Sequence, residues 1–247
     1  MDQSLKLIFN RRERKFPLAQ DRWDGVAECV RRYLPTHKYD GVHSITCIRT
    51  TYLDTPRLDS YREYLESRPI RKKIRIRQYG YDGVFEERCW VEIKIKRYAE
   101  TMKRRFCCTS GGVVALLAGE DILEEVMQIN GNSPDAVDIY QASRSMMAKR
   151  RLRPVVRVDY ERLAFEEPAS DSTRITIDRN VRFHTTRQST SAGFGGIIME
   201  VKCANGVPEW LPDFRRDLAL DGPSRFSKFA RAVGELGTER LLRQQQG

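Results

Sequence analysis

Arg, Lys and Glu recur at every second position in several short runs of this sequence. Arg11, Glu13 and Lys15 alternate near the start, Lys73, Arg75 and Arg77 alternate with Ile74 and Ile76, and Glu92, Lys94 and Lys96 alternate with Val91, Ile93 and Ile95. The pattern returns in Lys103 and Arg105, in Arg174 and Asp178 against Ile175 and Ile177, and in Glu200 and Lys202 against Met199 and Val201. A β-strand sends successive side chains to opposite faces, so each run reads as a strand with one aliphatic and one charged face. A single strand of this kind reads as the wet side of an antiparallel sheet. Several together read differently: if the sheet closes into a barrel, their charged faces converge on one interior. Guanidinium forks and ammonium groups suit phosphate oxygens, and the interspersed carboxylates are seats for a hard divalent cation. Like charges crowded into a partly desolvated space repel one another, and a triphosphate or longer polyphosphate relieves that cost.

Composition agrees with a polyanionic partner. The 247 residues include 44 Lys and Arg against 34 Asp and Glu, a net charge of +10. Aromatic residues are not interleaved with the basic ones as single-strand nucleic-acid binding requires, so nucleic acid is not the expected partner. The six cysteines form no C-x-x-C pair and the three histidines (His37, His43, His184) are scattered, which excludes a zinc template and leaves reduced, structural thiols. No run of about 18 apolar residues occurs, and the N-terminal stretch lacks the pattern of a signal peptide. A cytoplasmic protein that does not span a membrane is expected.

The elements that must hold these residues follow from periodicity. Strands are predicted over 4–16, 43–53, 71–79, 87–97, 102–108, 153–165, 173–183 and 196–203, and helices over 21–34, 56–67, 111–129, 135–149 and 223–243. Asp21 reads as a cap of the first helix, and Asp221, Gly222 and Pro223 as the start of the last. Tyr79 to Gly83 reads as a hairpin turn and Thr185 to Gly196 as a loop. With no repeat and no composition break, residues 1–247 read as one α+β domain: a closed antiparallel β-barrel forming a charged tunnel, its outer aliphatic faces covered by helices. Simple alternation from Val156 puts Arg162 on the face of Val156 and Val158, so either a bulge re-aims it or the register differs. Tyr79 and Tyr160 read as barrel packing, Asp54 and Asp59 as helix caps, and Glu92 as a metal ligand or a cross-strand partner of Lys94 or Arg75. On periodicity alone, Lys228 and Arg231 read as the polar face of a helix whose stripe is Phe226, Phe229, Ala230 and Val233.

The order of motifs resembles a known family. R-x-E-x-K at Arg11, Glu13 and Lys15 is similar to the N-terminal signature of the triphosphate tunnel metalloenzymes (the CYTH superfamily), and more narrowly to the catalytic domain of the vacuolar transporter chaperone (VTC) polyphosphate polymerases and their bacterial relatives. TTYLDT at 50–55, KIRIRQYG at 73–80, WVEIKIK at 90–96, KRRF at 103–106, RPVVRVDYERLAF at 153–165, RITID at 174–178, MEVK at 199–202 and SRFSKF at 224–229 continue it across nearly the whole chain. The resemblance implies that Lys15, Arg75, Arg77, Lys94, Lys103, Arg162 and Arg174 act on the triphosphate and phosphate chain, and that Glu200 binds the metal, with Glu13 and Glu92 as further candidates. Arg11, Lys73, Lys96, Arg105 and Lys202 join the substrate-binding set on their charged faces, and Arg225, Ser227 and Lys228 fall on the C-terminal helix that flanks the tunnel. Arg225 stands where Lys is usual.

What the resemblance implies about activity is transfer of the γ-phosphoryl of ATP to a growing polyphosphate chain, with release of ADP and dependence on Mn2+ or Mg2+. Two other readings stand beside it: a triphosphatase of the same fold, using Glu13 or Glu92 to orient water, and a non-catalytic polyanion-binding module. The inositol-phosphate-sensing module and membrane helices of the eukaryotic polymerases are not in this sequence, which points to a stand-alone bacterial form and leaves a membrane partner protein open.

Overall fold

The alternating segments become strands, with residues 4–6 of the first lying outside the described residues. They are β1 (Ile8–Ala19), β3 (Ile45–Asp54), β4 (Ile70–Tyr81), β5 (Val84–Arg97), β6 (Glu100–Thr109), β7 (Arg153–Glu166), β8 (Thr173–Thr185) and β10 (Gly196–Cys203), with short strands β2 (Thr36–His37) and β9 (Ser191–Gly193) that periodicity did not reveal. The structure, a computed structural model, describes residues 7–98, 100–167, 173–186, 191–204, 206 and 208–246, with the side chains of residues 9–12, 245 and 246 outside that description. Among the described residues the strands form one antiparallel sheet in the order β2-β7-β3-β4-β5-β6-β1-β10-β8-β9. In place of the plain closed barrel expected from the charged faces, this sheet has β2 and β9 as its ends. A further pairing of β7 with β8, from Val156 opposite Thr185 to Glu166 opposite Arg174, curls it back on itself.

Register brings the charged faces into rows. Tyr52, Arg75, Glu92 and Arg105 lie directly opposite one another across β3, β4, β5 and β6, and Lys73, Lys94 and Lys103 form the neighbouring row. On the other side, Lys15 is opposite Glu200, Glu13 opposite Lys202, and Lys202 opposite Arg174. Directly opposed residues share a face, so one face of the curled sheet collects the charge.

Helices cover the aliphatic face, as expected, but with different boundaries. The segment predicted as one helix over 111–129 divides into α3 (Ser110–Ala118) and α4 (Leu123–Ile129), because Gly119 takes φ 92° at the end of α3 and Asp121 accepts the Leu123 amide. With α5 (Pro134–Arg150) these pack on β5 and β6, where Tyr140 meets Phe106 edge to face at 5.6 Å. α1 (Trp23–Arg31) and α6 (Leu211–Asp217), the latter unforeseen, cover β8 and β10 through Val26, Val30 and Phe214. Asp21 lies in a 3-10 turn ahead of α1 and does not cap it. Asp54 does cap, accepting the amides of Thr55, Ser60 and Tyr61 ahead of α2 (Asp59–Leu65). The turn at Asp82 and Gly83 has both residues at positive φ, the hairpin geometry their types favour.

The last predicted helix starts later than Asp221–Pro223 suggests. Residues 223–227 are not helical, and Ser224 donates its amide to the Lys15 carbonyl, extending β1. Ser227 then caps α7 (Lys228–Leu236), and Gly237 at φ 87° separates it from α8 (Thr238–Gln246). α7 explains the face of Arg162. The β7–β3 register is unbroken from Val156 opposite Tyr52 to Leu163 opposite Ile45, so Val156, Val158, Tyr160 and Arg162 do share one face. That face is charged along only part of its length. Ile48, Val156, Val158, Phe183 and Ile198 make an apolar half that clusters with Phe229, Ala232 and Val233 of α7.

The crossing from β4 to β5 depends on a residue without a side chain. A methyl group on Gly80 would lie 2.4 Å from the Val84 carbonyl oxygen and 2.9 Å from Phe85 Cα, both backbone atoms that cannot swing away. Gly80→Ala is expected to cost about 2 kcal/mol, within the usual range for overpacking, read as a lower Tm by calorimetry.

Candidate functional site

The charged face lines a cavity of about 390 Å³ bounded by β1, β3, β4, β5, β6, β7, β10, α2 and the segment leading into α7. Among the described residues, twelve basic ones line it against two carboxylates, Glu13 and Glu200. Of the residues singled out from sequence, it gathers Lys15, Lys73, Arg75, Arg77, Lys94, Lys96, Arg162, Lys202, Arg225, Ser227 and Lys228 with those two glutamates. Four others sit off the lining. Lys103 and Glu92 lie behind Arg75, Arg105 stacks its guanidinium 3.9 Å from the Trp90 ring, and Arg174 pairs with Glu166 at 2.9 Å and donates to the Tyr39 hydroxyl. The Arg11 side chain lies outside the described residues.

Carboxylates divide the work of holding these cations. Fully buried Glu92 takes Arg75 Nε at 2.6 Å and Lys103 Nζ at 3.2 Å, so of its two readings the structure displays the cross-strand pair, with Arg75. Burial alone would favour its acid form, but Arg75, Lys103 and Arg77 hold it well below the ordinary carboxylate range. Asp178, also fully buried, takes Arg162 through two bonds of 2.6 and 2.8 Å and Lys228 through a third. Glu13 pairs with Lys94 at 2.7 Å. Glu200 faces Lys202 at 3.0 Å and Lys15 and Lys228 at 3.5 Å each, and despite burial these lysines keep it ionised.

The excess of positive charge shows in the lysines. Burial, with Arg71, Lys94 and Lys15 nearby, pushes the Lys73 ammonium down to about 7 from 10.5, even though it rests over the rings of Tyr64 and Phe229. Lys202 falls to about 8, chiefly through burial and against the pull of Glu200. Burial would raise the Tyr52 phenol, but Arg75, Arg77 and Lys228 bring it below its usual value.

Divalent-metal chemistry needs oxygen ligands, and the fit is to a shared site. Among the described residues no three His, Cys, Asp or Glu side chains cluster. A magnesium-like ion commonly uses one or two carboxylates and takes its remaining ligands from phosphate oxygens and water. Glu200 meets that need: it lines the cavity, is ionised, and two of its three lysine contacts are as long as 3.5 Å. Glu13, across the β1–β10 ladder, is the second carboxylate available.

Several lining residues escaped the sequence. Arg71 continues the alternation of Lys73, Arg75 and Arg77 and could have been found by extending it one step. Tyr160 was read as packing, yet it lines the cavity and accepts a bond from Arg77 Nη2 at 3.1 Å. Tyr52 and Tyr64 had no signal, because a tyrosine at a strand or helix position looks the same in a core. The segment before α7 is drawn across the cavity by Lys15 Nζ donating to the Phe226 carbonyl at 3.2 Å and the Tyr64 hydroxyl donating to the Arg225 carbonyl at 2.7 Å. Ser227, expected on substrate, caps α7 through the Ala230 amide.

The family model for the VTC domain matches residues 10–236, which takes in β1 from its third residue, every later strand and the cavity. The chain belongs to the VTC domain family. Its VTC domain is 26% identical over 234 residues to vacuolar transporter chaperone complex subunit 4 of Schizosaccharomyces pombe, covering 78% of this chain and 32% of that protein. It is 25% identical over 228 residues to the subunit of the same name from Trypanosoma brucei brucei, covering 76% and 28%. The chain thus spans about a third of the length of these relatives. A crystal structure of a candidate adenylate cyclase from Bacillus halodurans has the same fold, with TM-score 0.53 at 9% identity over 92% of this chain and 98% of that chain. No helix among the described residues is long and apolar enough to cross a membrane.

Two outcomes follow from the cavity. Glu92→Gln would remove the buried anion that the partly buried Arg75 and Lys103 share, a loss of about 3 kcal/mol, read as a lower Tm that added tripolyphosphate partly restores. Lys73 titrates near 7 when folded and near 10.5 when unfolded, so between those values the folded chain binds fewer protons. Its stability therefore rises with pH across that window, and its penalty is complete below it. A polyanion reverses the shift, so tripolyphosphate binding at pH 8 is expected to take up protons, measured by calorimetry in buffers of different ionisation heat, with less uptake in Lys73→Met.

Proposed function

We propose that this VTC domain is a metal-dependent polyphosphate polymerase whose curled sheet acts as a closed tunnel, working as one domain on ATP and inorganic polyphosphate. The observation that carries the reading is a cavity lined by twelve bases and two carboxylates, walled on one side by the segment that leads into α7. The charge density of a triphosphate matches that lining, and the chemistry of phosphoryl transfer asks chiefly for positioning and electrostatic stabilisation.

In this reading Arg75, Arg77, Lys94 and Lys15 bind and orient the triphosphate of ATP in the cavity. Arg162 and Lys228 neutralise charge that develops on the transferred group and on the leaving diphosphate. Lys73, Lys96, Lys202 and Arg225 bind the acceptor chain, and Lys103, Arg105 and Arg174 contribute from outside the lining through the local field. A divalent ion, manganese or magnesium, held by Glu200 with Glu13 beside it, supplies Lewis-acid neutralisation of phosphate oxygens. The terminal phosphate of the chain is already anionic near neutral pH, so elongation needs no strong general base. Hydrolysis needs an oriented water in addition, and the basic segment at Arg225 and Lys228, which can guide a long product chain, favours transfer.

Incubation with ATP and Mn2+ is expected to give ADP and mid-chain polyphosphate signals by phosphorus NMR. Glu200→Gln and Arg75→Ala should each slow turnover by about 100-fold or more, the scale of losing one charge-stabilising group. Orthophosphate and ADP without chain would replace the polymerase by a triphosphatase, and binding without turnover would leave a polyanion-binding module.

A further inference from the structure

Asp178 does not line the cavity, yet two lining cations end on it. Arg162 from β7 binds it through Nε and Nη2 at 2.6 and 2.8 Å, and Lys228, the first residue of α7, donates to its Oδ2. The carboxylate is wholly buried. A strand neighbour pairs it with Ile198, and Phe183 lies further along the same strand in the apolar cluster, so an aliphatic side chain could have continued that packing. Buried ion pairs are generally no more stabilising than such packing, so stability alone is a weak reason for this one.

Its geometry serves the cavity instead. Holding a guanidinium by its Nε and Nη2 edge leaves the Nη1 edge for a second anion. Lys228 is placed by Asp178 on one side and Glu200 on the other, 4.8 Å from the centre of the Tyr160 ring, over which Arg162 also sits at 5.3 Å. Without the carboxylate, these two cations would face each other in a dry space and separate.

We infer that Asp178 is a positioning residue that holds Arg162 and Lys228 at one point for a phosphate chain and, through Lys228, pins the first turn of α7 against the cavity. This rests on the functional reading above only in naming the anion.

The test uses the full chain, with inorganic tripolyphosphate and Mg2+ as the probe in titration calorimetry. Asp178→Asn and Lys228→Met should each weaken binding about tenfold or more, the scale of a hydrogen bond to a charged group. The double variant should bind no more weakly than Asp178→Asn, because Lys228 has already lost its place, and Asp178→Glu should recover part of the affinity. Amide exchange over residues 229–236 should quicken in both single variants. Additive losses, wild-type affinity in Asp178→Asn, or unchanged exchange in Lys228→Met would each overturn the role. The last of these does not depend on Asp178→Asn folding. If the wild-type chain bound no tripolyphosphate, the polymerase reading would fall, while the exchange of α7 would still decide for or against the anchoring of Lys228 by Asp178.

Discussion

Twelve cationic side chains around about 390 Å³ of space repel one another, and every layer of the structure meets that repulsion in some way. Burial removes the water that would screen them, so the repulsion is felt more strongly inside than on a surface. Lys73 and Lys202 meet it by losing affinity for their protons. Arginine cannot do so at any accessible pH. Arg162 and the partly buried Arg75 are each given a fully buried carboxylate, while the buried Arg77 is held by the hydroxyls of Thr50 and Tyr160.

Four acidic residues split into two kinds under this constraint. Glu92 and Asp178 lie behind the lining and each clamps one arginine and one lysine, fixing where the positive charge stands. Glu13 and Glu200 line the cavity and, among the described residues, their ion pairs are with lysines, so these partners can turn toward an arriving phosphate without stranding a guanidinium. The first kind shapes the cage, and the second is free to exchange partners, which is what a site for an anion and its metal ion requires.

The fold supplies the containment. Strand alternation turns an aliphatic face outward, where α1, α3, α4, α5 and α6 cover it, and leaves the inner face to hold charge. That inner face is not uniform: its apolar half accepts Phe229, Ala232 and Val233, so the helix that carries Lys228 is seated by hydrophobic packing while its first residue reaches the charged half. One element thereby couples core packing to the cation cage.

Much of this could be read from the sequence, because the signal involved is local. Period-two alternation set the strands and their charged faces, since strand geometry fixes which side each residue takes, and the excess of Lys and Arg pointed to a polyanion. Alternation says which face a residue occupies but not how deep along the cavity it lies, so Lys103, Arg105 and Arg174 were grouped with the lining although they stand off it. For the same reason Glu92 looked equally like a metal ligand or a cross-strand partner, and Asp178 carried no mark of its function. Helix boundaries failed at Gly119 and Gly237, where positive φ overrode apolar periodicity. The sequence by itself determined the long strands, their two faces and the sign of the charge that one face carries. Only the tertiary structure decided which carboxylate meets which cation, because those partners lie on different strands and on α7, and their meeting depends on register, curl and helix docking that no local pattern encodes.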